Sequence, residues 1–162
     1  MNRIADADAE PLHYLALVDC ADILAELFHR VLIPVGVRDE LLHPTAPAKV
    51  KNWLAEKKPW LSIETVEQPQ IIRGLHKGET EALQLALRTK VPAVLMDDLD
   101  GRAAARQLGI VTIGTLGLLE RAAELRLIEL SKIIGKLRQT NFFISPELLE
   151  AVLQRDQKRR NP

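Results

Sequence analysis

One cysteine, Cys20, in 162 residues excludes a disulfide framework within the chain; its place in an apolar helical stretch reads as a small core residue. A reducing cytoplasm is the expected compartment for such a chain. Net charge is lacking too: 22 basic residues balance 22 acidic ones, so the bulk field does not announce nucleic acid and any basic surface must be local. No apolar run approaches the ~20 residues that span a bilayer, and the acidic start MNRIADADAEP contains no secretory apolar stretch. His13, His29, His43 and His76 are scattered without metal-ligand spacing and read as surface or packing residues. There is no GxxxxGK phosphate loop, and the GTLG starting at Gly114 is too short to stand for one. Internal repeats and low-complexity segments are absent as well.

What is present is an alternation of short apolar strands and amphipathic helices. The chain is 47% hydrophobic and 27% charged, the balance of an ordinary soluble globular domain with a sizeable core. Arg3 to Ala7, HRVLIP, LSIETV, PAVLMDD and IVTIG read as strands. Between and after them, helices are expected from Pro11, in ADILAELF, from Pro34 to Leu42, in VKNWLAEKK, over Gly78 to Lys90, in LDGRAAARQLG with Gly109 as its stop, and in LGLLERAAELRL, SKIIGKLRQT and PELLEAVLQRDQ. Ser145 before Pro146 is an N-cap followed by proline at the first helical position. The stretch VEQPQIIRGLHK, residues 66–77, is the expected irregular connection. This alternation predicts an α/β fold with a central parallel sheet covered on both faces. Residues 1–155 are expected to form one domain and 156–162, ending in KRRNP, a frayed basic tail. The apolar residues Leu148, Leu149, Val152 and Leu153 would pack within the chain or in a two-fold dimer.

Four acids carry the functional signal: Asp8, Glu40, Glu81 and Asp98. Each falls where a strand ends or a helix begins, and ligands in parallel α/β folds bind beyond the carboxyl ends of the strands. Gathered there, they make a pocket that repels itself unless protonated or filled by a cation. Hard oxygen donors suit Mg²⁺ or Mn²⁺, and the chemistry such a site serves is metal-assisted phosphodiester hydrolysis. Each acid also has a plainer reading. Asp8 could cap a helix, Glu40 could lie on a solvated face, and Glu79 and Glu81 could answer the macrodipole of the helix they open. Glu79 and Glu81 are two residues apart on a helix, so one at most faces the pocket easily. Asp97 and Asp98 are adjacent and point apart; Asp98 is taken as the principal ligand, with Asp97 capping, orienting or making a second metal contact.

In order, Asp8-Ala9-Glu10-Pro11-Leu12, VLIPVGVRDEL, GETEALQLA, VLMDDLDGRAAARQLGI and TIGTLGLL resemble the PIN domain, and within it a subgroup of small prokaryotic VapC-like proteins. The likeness runs from Ile4 to Val152. It implies a three-layer α/β/α domain and a divalent-metal-dependent ribonuclease with Mg²⁺ or Mn²⁺ as cofactor. Carried over residue by residue, the catalytic acids are Asp8, Glu40, Glu81 and Asp98, with Asp97 beside Asp98 as a further metal contact and Glu79 as an extra acid. Arg102 matches an arginine commonly found after the aspartate pair. Arg102, Arg106 and Lys77, near the acidic motifs, are candidates for contacts to an RNA backbone. Trp53 and Trp60 could stack bases but read first as packing residues. The implied partners are RNA, an antitoxin laid across the acidic groove if the chain is the toxin of a pair, and a second copy of the chain.

The chain departs from the subgroup at Ala9-Glu10, where Thr-Ser or Ala-Gly is usual before the proline. The change removes hydroxyl donors near Asp8 and adds a bulky charge, which either strengthens cation binding or obstructs the phosphate. A binding module that keeps the fold without the chemistry is therefore the alternative. A haloacid-dehalogenase-like phosphatase is disfavoured: Asp6-x-Asp8 follows only Arg3-Ile4-Ala5, and Glu10 stands where Thr or Val is expected.

Overall fold

The computed structural model describes residues 3–162. Its sheet consists of β1 (Ile4–Ala7), β2 (Arg30–Pro34), β3 (Leu61–Glu64), β4 (Ala93–Leu95) and β5 (Thr112–Ile113), in the order β3-β2-β1-β4-β5. Every neighbouring pair is parallel; Asp6, on the central strand, lies opposite Leu32 on one side and Val94 on the other. The chain builds outward from β1 through β2 to β3, crosses back over the sheet, and continues outward on the other side from β4 to β5. The order therefore reverses between β1 and β4, and the carboxyl ends of those two strands flank the crevice where a ligand is expected.

Helices cover both faces, giving the three-layer α/β/α architecture. They are α1 (Ala9–Leu17), α2 (Ile23–Leu27), α3 (Val35–Leu41), α4 (Ala48–Ala55), α5 (Lys77–Thr89), α6 (Leu99–Gln107), α7 (Thr115–Glu124), α8 (Leu130–Leu137) and α9 (Pro146–Arg160). Strand alternation divides the core. Ala5, Ala7, Val31, Ile33 and Leu95 face the larger core, with Leu12 and Leu15 of α1, Leu118 and Leu119 of α7, Ile134 of α8 and Val152 of α9. Leu32, Val94 and Met96 face the other side, among Ala82, Leu83, Leu85 and Ala86 of α5 and Ala105 of α6. None of the helices among the described residues is long and apolar enough to cross a membrane.

Local signals act as expected at several ends. Gly109 has φ +72°, and the bonds Gly109 N–H to Arg106 C=O (3.1 Å) and Ile110 N–H to Ala105 C=O (2.8 Å) close α6 as a Schellman turn. The Ser145 hydroxyl accepts from Leu148 N–H at 3.2 Å, with Pro146 opening α9. Residues 65–76 carry no regular element. Trp53 and Trp60, with ring centroids 6.4 Å apart, pack against the larger core. Trp60 precedes β3, at the amino end of the sheet and so opposite the crevice.

The end of the chain differs from expectation. Residues 156–160 do not fray: α9 runs to Arg160, because Asp156, 3% exposed, is paired with Arg159 and, at 3.3 Å, with Arg160. Leu149, Val152 and Leu153 are taken up by the chain's own core, leaving Leu148 exposed. We expect Asp156→Asn to cost about 1 kcal/mol, whereas removing both arginines leaves a buried carboxylate unpaired and costs about 2–3 kcal/mol. Denaturant unfolding of the two variants measures the order; equal or reversed costs would contradict this account of the tail.

Candidate metal centre

Asp8 is the first residue beyond β1, and its N–H donates to Leu95 C=O at 2.9 Å, tying the ends of β1 and β4 together. It occupies the N-cap position of α1, yet its carboxylate makes no capping bond to that helix. The side chain is instead turned into a cleft of about 390 Å³ lined by Glu10, His13, Tyr14, Glu40, His76, Glu79 and Asp98, among others. Burial pushes the Asp8 carboxyl up to about 7, with the charges of Glu40, Glu79 and Glu10 adding to the rise and the Ala9 N–H opposing it. Three of the four acids singled out in the sequence, Asp8, Glu40 and Asp98, thus line one cleft.

Glu40 projects from α3. Burial raises its carboxyl above the ordinary range, Glu79 and Glu81 add to this, and His76 and the Gly78 N–H counter it. Gly78 is needed here: a Cβ at that position would run into the Glu40 carboxylate. Glu10, in the first turn of α1, is raised by burial and by Asp97, Asp98 and Glu79. Asp98 enters the cleft from the β4–α6 junction while one of its oxygens, Oδ2, accepts from Gly101 N–H at 2.8 Å, capping α6. The adjacent Asp97 is turned away and fully engaged. Its Oδ1 accepts from Thr115 N–H at 2.7 Å and its Oδ2 from the Thr115 hydroxyl at 2.5 Å. Burial raises the Asp97 carboxyl, while Thr115 and Arg102 hold the rise back.

Glu81 is absent from the cleft lining. The helical offset puts Glu79 there, where it also accepts from His76 N–H at 3.0 Å. The Glu81 carboxylate, 4% exposed as a residue, is anchored by Gly36 N–H at 2.7 Å, with Lys77 Nζ 4.0 Å away. A Cβ on Gly36 would overlap it. The cations expected at an RNA backbone are dispersed. Arg102 donates to Met96 C=O at 3.3 Å and supports the Asp97 corner; Arg106 is exposed in the last turn of α6, about 12 Å along the helix from Asp98. Lys77 is exposed beside Glu81. His13, Tyr14 and His76 went unrecognised as cleft residues. Their signal was position, since His13 and Tyr14 follow Glu10 at helical spacings of three and four and His76 opens the helix of Glu79.

Among the described residues no three Asp, Glu, His or Cys side chains are already gathered as a ligand set. The donor chemistry fits a hard divalent cation nonetheless. The cleft holds five carboxylates from three layers of the fold; burial raises Asp8, Glu10 and Glu40, and their neighbours' charges add to the rise.

A doubly covered parallel sheet with an acidic crevice at its switch point places a ligand site beyond the carboxyl ends of β1 and β4. The family model described as DUF3368, PIN domain, matches residues 4–158, and the chain belongs to that family. PIN domains are commonly nucleases and typically use divalent metals. Among solved structures, the chain is similar to a PilT N-terminus domain protein, SSO1118, from the archaeon Sulfolobus solfataricus P2. Identity is 10%, coverage 88% of this chain and 99% of the other, and the TM-score 0.48. No curated protein matches.

Asp6 is completely buried one pleat below Asp8, and neither of its carboxylate oxygens has a partner. Burial raises its carboxyl well above the ordinary range, the nearby Ala7 N–H opposes the rise, and the charge of Asp8 adds to it. The sign follows from linkage. A carboxyl whose folded value is raised favours folding while protonated, and that stability is lost as pH rises through the folded value, about 7 for Asp8. Without divalent cations we expect stability to fall by roughly 2–4 kcal/mol from about pH 4 to about pH 8, and Asp6→Asn and Asp8→Asn each to flatten the fall. Denaturant unfolding across that range tests this, and a rise in stability for the wild type would refute it. Gly36→Ala is expected to cost about 1–3 kcal/mol by displacing Glu81 and leaving buried groups unpaired, and Glu81→Gln, which keeps an acceptor, less. The same unfolding measurement ranks the two.

Proposed function

We propose that this chain is a divalent-metal-dependent ribonuclease, with Asp8, Glu40, Asp98 and Glu79 as the residues that hold Mg²⁺ or Mn²⁺. The observation that carries the reading is the convergence of these acids beyond β1 and β4 around Asp8, whose carboxyl is raised to about 7. A group so placed is readily deprotonated by an arriving cation. The bound ion would supply an acidified water and charge neutralisation at the phosphate. The protein's own part is positional. Asp97 and Glu81 anchor the corners from which Asp98 and Glu79 project, through Thr115 and Gly36. His13, His76 and Tyr14 are the groups in the cleft able to hold or pass a proton.

Glu10 supports a second reading, a module that binds but does not cut. It places a further carboxylate in the cleft, within the influence of Asp97, Asp98 and Glu79. If the chain is a toxin, an antitoxin crossing this cleft must present cationic groups to it, because acids dominate its lining.

Mn²⁺ calorimetry beside an RNA-cleavage assay separates the readings. Asp98→Asn is the informative variant, since Asn also caps helices and α6 should survive it. We expect Mn²⁺ affinity to fall by about 10-fold or more and cleavage by about 100-fold or more. Metal binding without cleavage of any RNA, with activity appearing in Glu10→Ala, would favour the obstructed module. Wild-type protein that takes up no Mn²⁺ would overturn the proposal.

A further inference from the structure

The zero net charge of the chain hides a separation. From Arg121 onward nine basic residues meet five acidic ones, which leaves the earlier part acidic. Much of the basic excess lines one groove of about 1000 Å³, enclosed by the end of α7, by α8 and by the end of α9. No residue of this groove lines the acidic cleft. α7 starts just beyond β5, and the groove lies at its far end, about 15 Å along the helix.

Five cations line the groove: Arg126, Lys132, Lys136, Arg159 and Arg160. The buried Asp156 holds both Arg159 and Arg160, so one charge of that pair stays uncompensated. Lys132 is spent on Glu129 at 3.0 Å, and the groove's Glu124 is taken by Arg121 at 2.8 Å. Among the described residues Arg126 and Lys136 take part in no ion pair. Arg126 also stands where glycine is favoured. Its φ is +61°, and its N–H and that of Leu127 donate to Ala123 C=O and Ala122 C=O, both at 2.9 Å, in the Schellman arrangement that Gly109 completes for α6. Between the cations the floor is apolar: Ile133 is half-buried and Leu127 is 39% exposed. Three uncompensated charges around a small apolar floor suit a compact anion with an apolar body, whereas a run of phosphates alone needs no such floor. A flat base covers adjoining apolar side chains at little conformational cost, and a nucleotide's diphosphate carries roughly three negative charges. We infer that this groove binds a nucleoside diphosphate, with its phosphates on Arg126, Lys136 and the Arg159–Arg160 pair and its base on Leu127 and Ile133. Asp156 acts by holding the two guanidinium groups in advance, so that less freedom is lost when phosphate arrives. The site takes its ligand without a metal and goes beyond the ribonuclease reading, on which it does not rest.

The test is calorimetry with ADP in the presence of EDTA, which keeps metal ions out of the acidic cleft, beside adenosine and inorganic pyrophosphate. ADP should bind about 10-fold or more tightly than either part alone. Arg126→Gln and Lys136→Gln should each weaken ADP by about 10-fold. Lys57→Gln removes an exposed cation outside the groove, and Asp98→Asn alters the cleft; neither should change ADP affinity. Arg126→Gly should weaken ADP as much as Arg126→Gln while holding or raising the thermal midpoint, because glycine adopts the positive φ freely; this separates loss of charge from loss of fold. Wild-type protein that binds no ADP overturns the inference, as does pyrophosphate binding as tightly as ADP, which would leave the apolar floor without a role. Losses from Asp98→Asn or Lys57→Gln equal to that from Arg126→Gln overturn it too, by placing the ligand elsewhere. An RNA decamer whose binding depends on Arg126, in a protein that ignores ADP, makes the groove a strand-binding surface and overturns the nucleotide. Each of these results leaves the cleavage assay and the ribonuclease reading to stand or fall separately.

Discussion

Repulsion among carboxylates is the constraint on which the rest of this molecule turns. Asp8, Glu10, Glu40, Glu79 and Asp98 line one cleft, where burial first and neighbouring charge second raise the carboxyls of Asp8, Glu10 and Glu40. An arrangement of this kind persists only because covalent topology and packing over-determine it. β1 is central, its end is bonded to β4 through Asp8 N–H and Leu95 C=O, and the cores on both faces close around it. The free energy that the acids withhold from folding would be recovered as affinity for a cation that bound among them and removed the repulsion.

The scaffold meets this strain with close backbone approach. Gly36 lets α3 come against the Glu81 carboxylate and donates to it; Gly78 lets α5 come against Glu40. These two glycines, one on each helix, bring α3 and α5 together at the acidic corner without a side chain between them. Thr115 does the equivalent work at the β5–α7 junction, where it is completely buried and donates to Asp97 through both its backbone and its hydroxyl. A carboxylate held by two donors keeps its own orientation and, through the chain, that of Asp98 beside it. Such positioning tolerates little change in side-chain volume.

The layers, the parallel sheet and the crevice were legible because period and strand character are local properties that survive tertiary packing: PAVLMDD and HRVLIP have few other ways to be buried. Asp8 and Asp98 were legible for the same reason, since strand ends in a parallel fold share one edge; Glu40 lies in the last turn of α3 and joins them through the packing of that helix. The choice between Glu79 and Glu81 was not legible, because it depends on the rotation of α5 about its own axis, which is set by Leu83, Ala86 and their contacts with β4 and α6. Arg102 was misplaced for a similar reason: a long side chain after an acidic pair reads as substrate-facing until the fold shows Met96 C=O and Asp97 within its reach. The tail was misread because KRRNP looks solvated, and only the burial of Asp156, four residues before Arg160, explains why the helix continues.

Apart from Glu10 and Glu40, the acids at this corner come in three pairs, and each pair has one member in the cleft and one behind it. Adjacent residues on a loop point apart, so Asp98 faces the cleft and Asp97 faces Thr115. Two residues apart on a helix is about 200° of rotation, so Glu79 faces the cleft and Glu81 faces Gly36. On a strand the same spacing returns to the same face, and separation by direction is unavailable to Asp6 and Asp8. They separate by depth: Asp8 reaches the cleft, while Asp6 lies a pleat lower between Leu32 and Val94, with neither oxygen partnered. Asp97 and Glu81 each repay their burial with donors from a neighbouring element, whereas Asp6 has only the nearby Ala7 N–H of its own strand against burial and the charge of Asp8. The geometry of the strand thus explains why, of the three supporting acids, Asp6 is the one without a partner.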